Sequence, residues 1–575
     1  MTAWYQGHTL SASDESFVAH PFLNRQLIAY IGNKRRVLGF LYGIFRRLEE
    51  RAEIRSFVDP FAGTGSVARL ARLMGYRVWA NDWEEYSRII NSAYLQITPA
   101  VLSRLYPEDG GIGGLLSRLN GLGGKPPKPF ISRHFAPKST EGADYRSERL
   151  FYTRENALFL DRVRQRIEEL YPPEDIDERK LPERELLIAL LLYEASTHAN
   201  TSGVFKAFHK GYGGHGKDAL RRITSPMELE LPVLVEGTAP AFVGREDAAA
   251  FLRRRSFDLC YLDPPYNGHQ YGSNYHLLNS LARWDFPEVD ESRSEDGILQ
   301  SKGGIRTDWN ETRSPFCSRR TAPRALRELV EAADCRFLVL SYNSEGIIPL
   351  EDLIDLLSSY GEVEISTLDY VKYRGGRQSL SRKVHNVEFQ LLLHRSEEVK
   401  PLGRRISAER FLLLQRILSL FREAYVPERI KAEMERAGAR CEDDLPSGSP
   451  LAEFSSRMKD LYRFIDVPSF EELETLSAEE LTRLDEVLSG STCRDRREEF
   501  RVLLGLISQD AGRGSEYERR LLDVVKKFAH KKYRREWESA AAELTVFLQA
   551  RPEAYSVLRK GFEELQELAE LRFNG

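Results

Sequence analysis

Cysteine is scarce and scattered: the 575 residues hold five (Cys260, Cys317, Cys335, Cys441 and Cys493), with no CxxC pair. That spacing speaks against a disulfide framework and against a zinc site, and it fits a reducing compartment. Long apolar runs are absent as well. No stretch is uninterrupted enough to cross a bilayer, and the first twenty residues, MTAWYQGHTLSASDESFVAH, lack a basic segment followed by an apolar one. A cytoplasmic protein without membrane association is expected, and no metal-ligand set is read in the chain. Nor does charge of one sign dominate. Against 83 Lys and Arg stand 87 Asp and Glu, a formal net charge of −4, so any nucleic-acid surface has to be local. What is present is an ordinary globular balance, 42% hydrophobic and 30% charged residues, which excludes a largely disordered or collagenous chain. At about 150 residues per domain, the length implies three or four domains.

Along the chain, apolar spacing predicts a helix from about Gln26 to Glu50, interrupted at Gly32, and then one strand–helix–strand unit in IRSFVDPFAGTGSVARLARLMGYRVWANDW. Gly110 to Gly124 is glycine-rich and reads as a loop. Residues from about 130 to 230, with helices over Glu155–Leu170 and Pro182–Thr197, look like an insertion between sheet elements. The α/β pattern resumes at AFVGRED and reaches the buried strand of FDLCYLDPPYN. Further strands are expected at Arg336–Ser341, Glu362–Leu368 and Val387–Leu393, the last near a sheet edge. Beyond about residue 400, apolar residues fall at helical spacing, which predicts a separate helical domain.

Two turns carry the chemistry. In Asp59-Pro-Phe61-Ala-Gly63-Thr-Gly65-Ser66, the glycines let a ligand approach the backbone and the helix N-terminus. The spacing is not the dinucleotide fingerprint GxGxxG. Asp59 would repel a pyrophosphate and attract the ammonium of an amino acid, such as the one S-adenosylmethionine carries. About twenty residues on, Asp82 can accept from ribose hydroxyls and Trp83 can lie against an adenine ring. The second turn, Asp263-Pro264-Pro265-Tyr266, suits an exocyclic amino group, a poor nucleophile because its lone pair is delocalised into the ring. Asp263 and the Pro264 carbonyl can accept its protons. The two prolines offer no N–H there, and Tyr266 gives a face for an extruded base.

In order, YIGNKRRVLGFL, FVDPFAGTGSV, ANDW and YLDPPY closely resemble the adenine-N6 DNA methyltransferases of the alpha group, over roughly residues 20–395. The resemblance implies a Rossmann-like α/β sheet binding S-adenosylmethionine, with an inserted target-recognition domain and an appended helical domain. The corresponding divisions are 1–100, 101–240, 241–395 and 400–575. It places Tyr30, Gly32, Lys34 and Asp247 among the cofactor-binding residues beside Asp59, Phe61, Gly63, Gly65, Asp82 and Trp83. It also implies DNA contacts in the insertion, with Asn200, Thr201, Ser202, Lys206, His209, Lys210, Tyr212 and Lys217 as candidates, and with Arg374 and Arg377 in YVKYRGGRQSLSRKVHN. Double-stranded DNA is then the substrate, and a cognate restriction endonuclease or another defence-system partner is expected. Without a Pro-Cys nucleophile, cytosine C5 is disfavoured. Two alternatives stay open on the residues alone: another amino acceptor (cytosine N4, RNA or protein), or a DNA-binding protein that has lost turnover.

Overall fold

The apolar runs pair into one sheet. Its strands are β1 (Thr2–Tyr5), β2 (Ser56–Asp59), β3 (Arg77–Asn81), β4 (Ala241–Gly244), β5 (Phe257–Leu262), β6 (Cys335–Asn343), β7 (Glu362–Thr367), β8 (Glu388–His394) and β9 (Arg404–Ser407). They lie side by side in the order β4-β3-β2-β5-β6-β8-β7-β1-β9. From β4 to β6 all neighbours are parallel, whereas β8 runs antiparallel to both β6 and β7. The computed structural model describes every residue except 1, 6–11, 175, 215–216, 218, 238, 368–387, 396–403, 438–453, 455–456, 460, 510–513, 552–553 and 575. Among the described residues, no helix is long and apolar enough to cross a membrane.

Chain order reverses between β2 and β5: β3 and β4 extend the sheet one way, β5 and β6 the other. In such a sheet the carboxyl ends of the two central strands leave a crevice, because the connections leave in opposite directions. Asp59 ends β2 and Asp263 directly follows β5, so both chemical turns open on that crevice.

The last strand differs from expectation. β8 is no edge strand but is inserted between β6 and β7, with its residues from Phe389 to His394 all buried. Burial on both faces fits Phe389 and Leu391–Leu393, and the polar Gln390 within it is buried with a hydrogen bond to Ser341. The glycine-rich stretch is also more ordered than its composition suggests. Ile112–Asn120 is helical, with Leu115, Leu116 and Leu119 buried at helical spacing; Gly113 and Gly114 lie within its first turn, and Gly110 and Gly111 adopt positive φ before it. The long N-terminal helix is shorter than its pattern. Gly32 adopts a φ of +78°, a single 3-10 turn covers Lys34–Val37, and the α-helix begins only at Leu38 and ends at Glu49.

Residues 101–240 fall in the same compact unit as the sheet, Met1–Asp369 with Glu388–Arg405. The helices Arg154–Leu170 and Leu181–Thr197 contribute Leu160, Val163, Leu187 and Leu191 to the core that also holds Phe57, Val78 and Leu259 of the sheet. The other unit includes Ile406–Gly575. It is mainly helical, with a two-stranded ribbon, and its helices Arg496–Gln509, Gly514–Phe528, Arg534–Gln549 and Ser556–Asn574 bury Leu503, Leu521, Trp537 and Leu558 in a core of their own.

Candidate active site

A cleft lies at the reversal point. Its described lining includes four carboxylates, Asp82, Glu84, Glu246 and Asp263, and no lysine or arginine. Tyr30, Phe61, Trp83, Tyr266 and Tyr271 supply its aromatic walls. An acidic, aromatic cavity suits a cation with a flat ring system and rejects a pyrophosphate.

The floor is set by the first turn. Pro60 follows β2, and the chain turns back so that Ala62 N–H donates to Asn81 O at 2.9 Å and Gly65 N–H to Ala62 O at 2.7 Å. Gly65 has a φ of +77°, and a Cβ there would stand 2.5 Å from Asn91 Oδ1, so both conformation and space call for glycine. Asp82 anchors the turn to β3, accepting from Gly63 N–H at 2.8 Å and from Glu84 N–H at 3.0 Å. Asn81 joins three strand ends through bonds to Pro60 O, Glu246 O and Glu246 N–H.

Burial raises four carboxylates at and beneath the cleft. It raises Asp59, where the Asp263 charge adds to the effect and the Phe61 N–H opposes it. It also raises Asp82 and pushes Glu84 up to about 7, in spite of the hydrogen bond that Asn279 donates to Glu84. Asp263 is raised to about 6, first by burial and then, against the pull of Lys34, by Glu388. For Lys34, burial is outweighed by Asp263, Tyr266 and Glu388, so its ammonium stays charged.

Most expected cofactor residues converge. Tyr30, Gly32, Phe61, Asp82, Trp83, Asp263, Pro264, Pro265 and Tyr266 line the cleft, and Asp59, Gly63 and Gly65 shape the turn beneath it. Lys34 is not among the lining residues: its Nζ lies 3.2 Å from Asp263 Oδ1, 2.5 Å from Glu388 Oε1 and 5.4 Å from the centre of the Tyr266 ring. Asp247 is likewise not among the lining residues. Its carboxylate caps the helix Ala248–Leu252 by accepting from Ala250 N–H, and the cleft is lined by its neighbours Glu246 and Ala248 instead.

The expected DNA-contact residues divide. Asn200 is fully buried: its Nδ2 donates to Leu150 O and His209 O and its Oδ1 accepts from Gly213 N–H, so it braces a loop and offers nothing to a base. Tyr212 gives its hydroxyl to Tyr152 O, and Thr201 Oγ1 accepts from Gly203 N–H. Ser202, Lys206, Lys210 and Lys217 are exposed, while His209 is half-buried. Arg374 and Arg377 lie outside the described residues.

Several neighbours of the site went unnoticed in the sequence. Tyr275 accepts the Ile31 N–H and Tyr271 donates to Ile31 O, pinning the Tyr30–Gly32 turn, and Tyr30 stacks on Tyr275 at 4.7 Å. The four-residue spacing of Tyr271 and Tyr275 just after the second turn was the available signal. Gln270 holds the Thr312–Ser314 segment over the cleft through Ser314 N–H at 2.9 Å, and Phe316 meets Phe61 edge-on. Glu84, Glu246 and Glu388 carried no local motif.

This constellation, two strand-end turns facing each other across an acidic aromatic cleft, defines a transferase acting on an amino group. Residues 30–297 match the description of the D12 class N6 adenine-specific DNA methyltransferases. The type II methyltransferase M.NlaIII of Neisseria lactamica is 31% identical over 364 residues, covering 63% of this chain and 97% of that protein. The type II methyltransferase M.CviAII of Paramecium bursaria Chlorella virus 1 is 25% identical over 371 residues, with 63% and 97% covered. The modification methylase LlaI of Lactococcus lactis subsp. lactis is 29% identical over 360 residues, with 61% of this chain and 52% of that protein covered, so the matched region spans about half of that relative. No solved structure gives a significant match. The chain belongs to the D12 class N6 adenine-specific DNA methyltransferases.

Proposed function

We propose that the cleft binds S-adenosylmethionine and that Asp263, Pro264 and Tyr266 present the N6 of an extruded adenine to it. The observation that carries this reading is the lining of four carboxylates without a lysine or arginine, which suits a methyl donor of net positive charge with a sulfonium and an ammonium. S-adenosylmethionine, when bound, supplies a methyl group activated by its sulfonium. The chain's residues do the rest. Asp82 accepts from ribose hydroxyls with lone pairs left free by Gly63 and Glu84. Trp83, 37% exposed at the rim, covers the cofactor's adenine. Asp59 draws the ammonium end toward the turn and Phe61 flanks it. At the target, the Asp263 carboxylate and the Pro264 carbonyl accept the N6 protons, which favours pyramidal nitrogen and frees its lone pair. Pro265 stiffens the turn, and Tyr266 stacks on the ring that left the duplex. Orientation, with no covalent intermediate, supplies the acceleration.

Exposed Ser202, Lys206, Lys210 and Lys217 contact backbone phosphates of double-stranded DNA, which fixes register without reading sequence. The setting is the cytoplasm, with a restriction endonuclease of the same specificity as partner. Modified-base sequencing of DNA from cells expressing the wild type and the Asp263→Ala variant tests this. N6-methyladenine at one recurrent motif in the wild type alone is expected; equal methylation in both, or in neither, overturns it.

A further inference from the structure

One segment, residues 27–35, lines two hollows. Tyr30, Ile31 and Gly32 line the acidic cleft, whereas Leu27, Ile28, Ala29, Asn33 and Arg35 line a second groove. The segment is held at several points. Tyr275 and Tyr271 fix Ile31, Ser196 Oγ accepts from Ala29 N–H at 3.0 Å, and Asn33 Oδ1 accepts from Ser66 Oγ at 3.1 Å and from Arg35 N–H at 2.9 Å. Thr201 and Gly203 from the loop after the helix Leu181–Thr197 line the groove as well, and so does Arg222.

The two hollows carry opposite charge. The described lining of the groove holds Arg35 and Arg222 and no Asp or Glu, where that of the cleft holds four carboxylates and no Lys or Arg. Arg35 donates from Nε to Asn24 Oδ1 at 3.0 Å, which leaves both terminal nitrogens of its guanidinium to an incoming group. Both arginines are exposed, and neither forms an ion pair within the chain.

We infer that this groove takes backbone phosphates of the DNA strand that delivers its adenine to the cleft, with Arg35 and Arg222 as the phosphate contacts. This rests on the reading of the cleft given above. An extruded nucleotide keeps its two phosphates, and they must stay outside the pocket that receives the base. The carboxylates of the cleft repel them, while a guanidinium fork matches their oxygens. Gly32 links the two places. A Cβ there would stand 3.6 Å from the Tyr266 hydroxyl, and Arg35 follows three residues later, a span of about 11 Å at most. From Thr201 and Gly203 the chain continues into the loop that exposes Ser202, Lys206 and Lys210, so the groove adjoins donors already read as phosphate contacts.

The test is equilibrium binding of sheared, unmethylated genomic DNA to the full chain across a salt series, with S-adenosylmethionine affinity and the unfolding midpoint measured in parallel. Arg35→Ala/Arg222→Ala should weaken DNA binding about thirtyfold and lower the slope of log affinity against log salt by about 2, with methyl-donor affinity and midpoint at wild-type values. Arg35→Lys/Arg222→Lys keeps the charge without the fork, so it should recover the slope and only part of the affinity. Arg166→Ala/Arg179→Ala removes the same charge from exposed ion pairs elsewhere in the same unit and should leave DNA binding near wild type. An equal fall in that control, or wild-type binding in the groove variant, overturns the inference and leaves the reading of the cleft standing. Wild-type protein that neither binds nor methylates this DNA removes that reading itself.

Discussion

The two strand-end turns and the loop of residues 200–217 are equally rich in polar residues, but they use them differently. At the turns, the sheet fixes the backbone, and Asp82, Asp263 and Tyr266 keep part of their polar capacity directed into a cleft. In the loop, no ladder satisfies the main chain, so the side chains do that work themselves. Asn200 alone makes three bonds to backbone atoms at Leu150, His209 and Gly213. A polar residue on a scaffold is free for function, whereas one in a buried loop is consumed by structure.

Substitutions can break this contrast. Asp82→Ala releases the Gly63 and Glu84 N–H groups at once and takes a carboxylate from the cleft. With the ribose-accepting carboxylate gone, S-adenosylmethionine affinity should fall about 100-fold, measured by titration calorimetry, a larger effect than that of the two freed N–H groups on stability. Asn200→Ala should do the reverse. It leaves buried backbone groups without partners, costing about 1–3 kcal/mol in denaturant unfolding while the KM for the methyl donor stays near wild type. Equal shifts in both quantities for either variant would erase the distinction. Within the same loop, exposed Lys206 and Lys210 sharpen it. The double substitution to Ala should weaken DNA binding by about tenfold and lower the slope of log affinity against log salt by about 2, without touching stability.

How much was legible follows the same division. β2, β3 and β5 and both turns were readable because a short apolar run followed by Asp-Pro is a local pattern that sheet geometry then places. Lys34 was readable as part of a motif, but its role as a bridge to Glu388 was not, since 354 residues separate the partners. Asp247 could be read two ways because a helix N-cap and a ligand carboxylate look alike in sequence. β8 was read as an edge strand because antiparallel insertion between β6 and β7 is a property of pairing and leaves no mark in EFQLLLH. The helix at Ile112–Asn120 was hidden by its glycines, although Leu115, Leu116 and Leu119 carried the period.

The smallest effect tests the acidic cleft as a whole. Burial raises Asp59, Asp82, Glu84 and Asp263 above their ordinary values, the last two to about 7 and about 6. Each therefore holds its proton in the folded state at a pH where the unfolded chain has released it. Such groups stabilise the fold below the unfolded carboxylate range, and that contribution is lost as pH rises through the folded values, here across about pH 4 to 7. A cationic methyl donor reverses the sign by favouring the ionised forms. The rise in Tm on adding S-adenosylmethionine should thus be larger at pH 8 than at pH 6, by about 2–4 °C in thermal unfolding. Glu84→Gln removes one titrating group while Asn279 retains a carbonyl to donate to, so the difference between the two pH values should shrink. An identical donor effect at both pH values would mean that the four carboxylates do not meet the cation, and the cleft would lose the feature that sets it apart from the loop.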